Sequence, residues 1–208
     1  MPGSTVSASR RLLLAEVLLA QDRVDEAQAE LDQAQATWAS ASEGLAPAAA
    51  MDLELQRLQA AMQLRRGDPA GALTLLDAMP RSRNLAPDAP DQGEVDRQLL
   101  RSASLLRLGQ PEAALAAAQG AQAQLRLLAP PLRWPRQEAD TALALGLAWR
   151  ANGQRREANA ALRSALALRQ AHDLPSSLWV AHAQAALGAT ANLEPIKGLR
   201  GNTADTAR

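Results

Sequence analysis

Four short breaks recur along the 208-residue chain at nearly equal spacing. Two of them read Gly67-Asp68-Pro69 and Gly109-Gln110-Pro111, in which a residue that tolerates positive φ is followed at once by helix-starting residues. The other two, Gln21-Asp22 and Asn152-Gly153-Gln154, have the same character. Because each break separates two long helical patterns by only a few residues, the sequence predicts four helical hairpins with tight turns.

Small residues stand at fixed offsets from these breaks. An alanine follows each break, at successive spacings of 45, 42 and 44 residues, and another small residue precedes each break. Those after the breaks are Ala27, Ala72, Ala114 and Ala158, and those before are Ala15, Ala60, Ser102 and Gly146. Two helices approach to about 8–10 Å only where small side chains face each other, so these positions predict the contact between paired helices. A fixed-offset pattern with a near-constant period predicts a helical repeat array.

Composition supports an all-α fold. Hydrophobic residues make up 47% of the chain, whereas aromatic residues make up 2% and all of them are Trp. Ala and Leu therefore supply most of the apolar surface, and both are strong helix formers that are not favoured in strands.

The last copy of the pattern resembles a tetratricopeptide repeat (TPR). It reads Leu145-Gly146-x-x-Trp149-x-x-x-Gly153-x-x-x-x-Ala158-x-x-x-Leu162-x-x-Ala165, with a large–small pair, a bulky residue one turn later, a turn glycine and an Ala/large/Ala run. The other copies are degenerate, and the period exceeds the roughly 34 residues of the usual TPR. Long-period arrays of this kind are found in bacterial signalling proteins and in motor light chains. The resemblance implies a right-handed α-α superhelix, a TPR-like solenoid of four helical hairpins plus a C-terminal capping helix.

The repeat domain is predicted over residues 8–190. Its four repeats and capping helix are predicted at about 8–39, 48–80, 93–128, 136–171 and 176–190. Ser176 is the predicted N-cap of the last helix, and Trp179 is expected to face the preceding hairpin. Residues 1–7 and the polar tail 191–208 are predicted to be disordered. Apolar residues on more than one face of the first helix suit an upstream neighbour in a longer protein, or a homo-oligomer formed through the N-terminal repeat.

The sequence predicts no enzymatic activity, cofactor or metal site. There is no Cys, and the motifs HExxH, GxxxxGK[ST] and GxGxxG do not occur. His172-Asp173 lies near Ser176 and Ser177, but all four share one short connection, which is typical of a capped loop and not of a catalytic triad. His182 has no second His or Cys at ligand spacing.

Charge and hydropathy exclude two further classes of partner. The 22 basic and 22 acidic residues leave no net positive charge for nucleic-acid binding. No apolar stretch approaches the roughly 20 residues of a membrane-spanning helix. The lack of Cys fits a reducing compartment, and we expect a cytoplasmic location.

The resemblance also implies a concave groove lined by the first helix of each pair. Carried over by offset from the turns, the first copy presents Leu12, Glu16 and Leu19 to this groove. The later copies present Arg57, Ala61, Leu64, Arg65, Leu99, Ala103, Leu106, Arg107, Leu143, Leu147 and Arg150. Such an apolar trough with interspersed arginines suits an amphipathic or mildly acidic segment, unless several of these leucines pack between repeats instead. The Lys and Asn set with which chaperone-type TPRs clamp a C-terminal carboxylate is not present.

These observations favour a non-catalytic scaffold that binds a protein or peptide partner in bacterial signalling or assembly. The alternative is a C-terminal TPR sensor or regulatory region of a larger bacterial Ser/Thr kinase or transcriptional regulator.

Overall fold

A computed structural model describes residues 5–41, 49–80, 91–129 and 133–191. These residues form nine α-helices and no strand, which confirms the all-α prediction. The helices are α1 Thr5–Ala20, α2 Val24–Ala41, α3 Ala49–Arg65, α4 Pro69–Ala78, α5 Gln92–Arg107, α6 Pro111–Leu127, α7 Pro135–Ala151, α8 Arg155–His172 and α9 Leu178–Ala191.

The ends of the chain differ from the predicted bounds. α1 begins at Thr5, inside the segment predicted to be disordered, and residues 1–4 and 192–208 lie outside the described residues. α9 begins at Leu178, and the Trp179 backbone N–H donates to Ser177 Oγ at 3.1 Å. Ser177, one residue after the predicted Ser176, therefore caps this helix.

The four tight turns share one hydrogen-bonding pattern. In the second turn the Asp68 N–H donates to the Gln63 carbonyl at 2.9 Å, and the Gly67 N–H donates to the Leu64 carbonyl at 3.3 Å. The same pair of bonds recurs at the other three turns and defines a Schellman motif. The motif needs a residue with positive φ, which is Asp22 in the first turn and a glycine in the others. The predicted breaks are thus confirmed as helix ends.

The small residues lie where paired helices meet. All eight predicted positions are buried, and within each pair (α1 with α2, α3 with α4, α5 with α6, α7 with α8) the helices pack along each other. The approach is close at Gly146, where an added Cβ would stand 2.6 Å from Leu162 Cγ and 3.2 Å from the Ala158 carbonyl oxygen. These findings confirm the predicted contact between paired helices.

We predict opposite effects for two matched glycine substitutions. Gly146→Ala forces the buried Leu162 side chain to move and is expected to lower the free energy of unfolding by about 1–3 kcal/mol. Gly188→Ala in α9 has nothing within 4 Å of the new Cβ and is expected to stabilise by up to about 1 kcal/mol through helix propensity alone. Urea denaturation of both variants measures the difference, and equal effects would contradict the close approach at Gly146.

Successive pairs meet through their first helices, which we define as α1, α3, α5 and α7, and more extensively where each second helix packs on the first helix that follows it. Each first helix packs on the next one, and α7 packs on α9 in the same way. The second helices, α2, α4, α6 and α8, contact the first helix that follows them, and within the described residues no Cα atoms of consecutive second helices lie within 8 Å of each other. The result is a continuous layer of first helices with the second helices attached to it.

Polar bonds reinforce this layer at about one repeat spacing. A guanidinium of α5, Arg107, donates to the Leu64 carbonyl at the end of α3. The Asn152 side-chain amide donates to the Pro111 carbonyl at 2.8 Å. Each of these bonds ties the C-terminal end of a first helix to the neighbouring hairpin, and so helps to fix the register between hairpins.

The capping helix α9 is held by an aromatic–cationic contact. The guanidiniums of Arg136 in α7 and Arg169 in α8 lie 5.7 and 5.3 Å from the Trp179 ring centroid. Arg169 is buried and forms ion pairs with Asp140 and Asp173. Trp179 therefore faces the preceding hairpin, as predicted. Trp149, in contrast, is only half-buried.

Candidate binding groove

A cavity of about 350 Å³ opens on the layer of first helices, and we call it the first-helix cavity. Its lining residues are Ser9, Leu12, Leu13, Glu16, Met51, Glu54, Arg57, Asp96, Trp134, Arg136 and Gln137. All of them belong to α1, α3, α5 or α7, except Trp134, which immediately precedes α7. Side chains from all four hairpins therefore meet at one place.

Arg57 is the central cation of this cavity. Its guanidinium forms ion pairs with Glu16 of α1 and Glu54 of α3. Burial opposes the charged form, but the negative charges of Glu54, Glu16 and Asp96 outweigh that effect and raise the pKa of Arg57 above its ordinary value. Arg57 is thus held as a cation by these carboxylates, and the pair with Glu16 joins α3 to α1.

Asp96 lies beside this cluster without an ion pair of its own. Within the described residues its carboxylate has no cationic side-chain atom within 4 Å, and it accepts a hydrogen bond from Gln137 Nε2 at 3.2 Å. Burial raises the pKa of Asp96, and the charge of Arg57 offsets part of that effect. A carboxylate in this position is poorly compensated when ionised.

Gln137 is the most deeply buried polar residue of the cavity, with 3% of its surface exposed. Its Nε2 donates to Asp96 Oδ1 and, at 3.4 Å, to the Gln92 carbonyl. Because both partners are acceptors, the orientation of the amide is determined. Its Oε1 accepts no hydrogen bond within the part of the chain that the structure describes.

The rim of the cavity is apolar and exposed. Leu13 exposes 62% of its surface and Trp134 exposes 54%, whereas Leu12 is buried and Met51 is half-buried. The cavity therefore combines a charged floor with apolar side chains that a bound molecule would cover.

The structure separates the predicted groove residues into two groups. Leu12, Glu16 and Arg57 line the first-helix cavity. The others lie outside its lining: Leu19 and Leu64 are buried, Ala61, Leu99, Ala103, Leu106, Leu143, Leu147 and Arg150 are half-buried, and Arg65 and Arg107 are exposed. Among these, Ala61, Leu99 and Leu106 pack against buried clusters of the core.

The predicted arginines bond within the chain. Arg65 lies 3.4 Å from Asp22, and Arg150 donates to the Ala186 carbonyl at 3.0 Å. With Arg57 and Arg107, all four guanidiniums join one part of the stack to another.

Sequence reasoning did not identify Asp96, Trp134, Arg136 and Gln137. One signal was present, since Asp96 follows Glu54 by 42 residues and Gln137 follows Asp96 by 41, close to the repeat period. A polar residue that recurs at the same helical position in successive repeats indicates that these positions face the same environment.

Two larger cavities lie between consecutive second helices. One of about 690 Å³ separates α4 from α6, and one of about 650 Å³ separates α6 from α8 and is lined in part by Trp149. Both have several alanines in their walls, and they occupy the places where consecutive second helices make no close approach.

The described residues contain no group of three or more His, Cys, Asp or Glu placed to hold a metal ion. His172 and His182 are both exposed. No helix in the described ranges has the length and hydropathy to cross a membrane. Comparison with known proteins finds no matching family model, no matching curated protein and no matching solved structure.

Asp96→Asn is expected to leave the thermal midpoint at pH 7 unchanged or to raise it. The pKa of Asp96 is higher in the folded protein than its ordinary 3.8. At a pH between the unfolded and folded pKa values, the folded state therefore holds a proton that the unfolded chain has lost. The resulting stabilisation is fully present below the unfolded pKa and is lost as pH rises through the folded pKa. The midpoint of the variant relative to wild type should therefore fall as pH is lowered toward 4. A deficit at pH 7 that does not change with pH would contradict this account.

Proposed function

We propose that this chain is a non-catalytic, TPR-like scaffold that binds a peptide or helical segment of another protein, in bacterial signalling or assembly. In this proposal the first helices line the concave side of a right-handed superhelix, and the first-helix cavity is part of the groove. The observation that carries the proposal is that all four hairpins contribute side chains to the wall of this cavity. The shared Schellman turns and buried small residues support the repeat architecture.

The size and lining of the cavity suit side chains of a bound segment. About 350 Å³ lies near the lower end of the range for small-molecule pockets, and the site opens onto exposed Leu13 and Trp134. An amphipathic segment would bury these two side chains while its polar groups face the charged floor. An exposed Trp beside a cavity is a frequent anchor of such contacts, and the exposed leucine adds apolar surface to it.

The groups in the cavity support a binding role over catalysis. The single hydroxyl of its lining, Ser9 Oγ, donates to the Thr5 carbonyl at 3.1 Å. The remaining polar groups of the lining are the Trp134 indole N–H and a set of carboxylates, guanidiniums and an amide, most of which bond to one another. A nucleophile would need a neighbouring base held by a third group, and the lining contains no such set.

Binding of amphipathic peptides tests the proposal. A panel of fluorescent, N-acetylated and C-amidated peptides of about 15 residues, each with a leucine face, is titrated with the protein and followed by anisotropy. Leu13→Gln should weaken binding of the tightest-binding peptide by about tenfold, because an apolar contact between Leu13 and the peptide is lost. Leu127→Gln is the matched control, since Leu127 exposes 55% of its surface outside the cavity. Absence of binding to every peptide, or equal losses for the two variants, would contradict the proposal.

A second candidate function is favoured by the outer face of α1. Val6, Leu13, Leu14 and Val17 are all exposed there and recur at helical spacing. Such a stripe suits a further packed unit, as in a sensor or regulatory region of a larger Ser/Thr kinase or transcriptional regulator.

Two measurements test this second candidate: light scattering for the oligomeric state, and the fluorescence of a hydrophobic dye for exposed apolar surface. If the stripe is covered by another part of a larger protein, the isolated chain should remain monomeric and bind the dye. The double variant Leu14→Gln with Val17→Gln, which leaves the cavity lining intact, should bind less dye at unchanged helical content. A stable dimer that this variant dissociates would instead support the homo-oligomer formed through the N-terminal repeat.

A further inference from the structure

The charges of the first-helix cavity do not match an acidic ligand. Its lining contains three carboxylates, from Glu16, Glu54 and Asp96, and two guanidiniums. Arg57 is held between Glu16 and Glu54. The second guanidinium, Arg136, lies 3.8 Å from Asp140 and over the Trp179 ring, so it too already has partners. An anionic ligand would meet two cations that already have partners and one carboxylate without an ion pair.

Two acceptors on neighbouring helices are short of donors. Asp96 of α5 has no ion-pair partner within the described ranges, and the adjacent Gln137 of α7 has an Oε1 that accepts no hydrogen bond there. Gln137 is almost completely buried at the cavity wall. Gln137 Oε1 is closed off from the cavity, whereas the half-buried Asp96 lines it. A partly buried carboxylate without an ion pair is costly, so Asp96 is matched to a ligand that brings N–H groups and a positive charge.

The neighbouring aromatic residue favours the same kind of ligand. Trp134 lines the cavity, exposes 54% of its surface and lies three residues before Gln137. An indole face attracts cations and also packs against the methylene groups of long cationic side chains.

We propose that the groove recognises a lysine or arginine side chain of the bound segment. Asp96 accepts hydrogen bonds from its charged nitrogen group, and Trp134 packs against its alkyl stem. This inference rests on the proposed peptide-binding function and replaces a mildly acidic ligand with an apolar segment that carries a basic residue. The apolar contacts come from Leu13 and Met51, and the charge selects the register of the segment.

A residue scan within one peptide tests the inference. In the tightest leucine-faced peptide from the panel, Lys, norleucine or Glu is placed at each position in turn, and affinities are measured by anisotropy. At one position the Lys peptide should bind wild type at least about tenfold more tightly than the norleucine peptide. The Glu peptide should bind more weakly than either. In Asp96→Asn the preference for Lys over norleucine should fall below about threefold. Glu112→Gln, which removes an exposed carboxylate of α6 outside the cavity, should retain the full preference.

The outcomes separate this inference from the proposed function. Binding of the norleucine peptides without any preference for Lys overturns the basic-residue inference and leaves peptide binding intact. Absence of binding by all peptides overturns both. A Lys preference that Glu112→Gln reduces as much as Asp96→Asn does reflects net charge alone and also overturns the inference. Spermidine provides the last arm: if it binds wild type as tightly as the Lys peptide and loses affinity in Asp96→Asn, the site takes a free polyamine and the peptide assignment is wrong.

Discussion

The fold depends on the close approach of two helices at small side chains. At Gly146 there is no room even for a methyl group, because Leu162 of the facing helix occupies the space. The same contact, made by Ala, Ser or Gly, recurs in all four pairs, and each pair ends its first helix in the same Schellman turn. Four similar units can therefore pack in series, which brings their first helices side by side and creates one cavity among them.

Charged and polar side chains then determine how the units are placed relative to one another. Arg57 reaches from α3 to Glu16, and Gln137 reaches from α7 to Asp96. Half-buried polar contacts contribute little net stability, but they penalise any other register because a partner would be left without its bond. Asp96 is the exception to full compensation. Residues that are retained at some cost to stability are frequently those that bind a ligand.

The repeat units could be predicted from sequence, and the binding surface only in part. Helix ends follow from local chemistry, since a glycine, or Asp22, supplies the positive φ, and small residues at helical spacing identify the contact within a pair. The groove depends on the rotation of each pair against the next, and local spacing carries no information on that rotation. The predicted lining from α5 began at Leu99, whereas Asp96, about one turn earlier, faces the cavity. The arginines predicted to line the groove bond within the chain instead, and these bonds could not be predicted because the partners lie about a repeat away, as with Arg107 and Leu64.

The gaps between consecutive second helices have a mechanical consequence. One side of the stack is a continuous layer, whereas the other side has spaces of several hundred cubic ångströms between α4, α6 and α8. A bend that closes or widens these spaces meets no close approach of consecutive second helices, and it is limited by the packing of each second helix on the first helix that follows it. The curvature of the stack should therefore change by small shifts in that packing. Such shifts would adjust the width of the proposed groove.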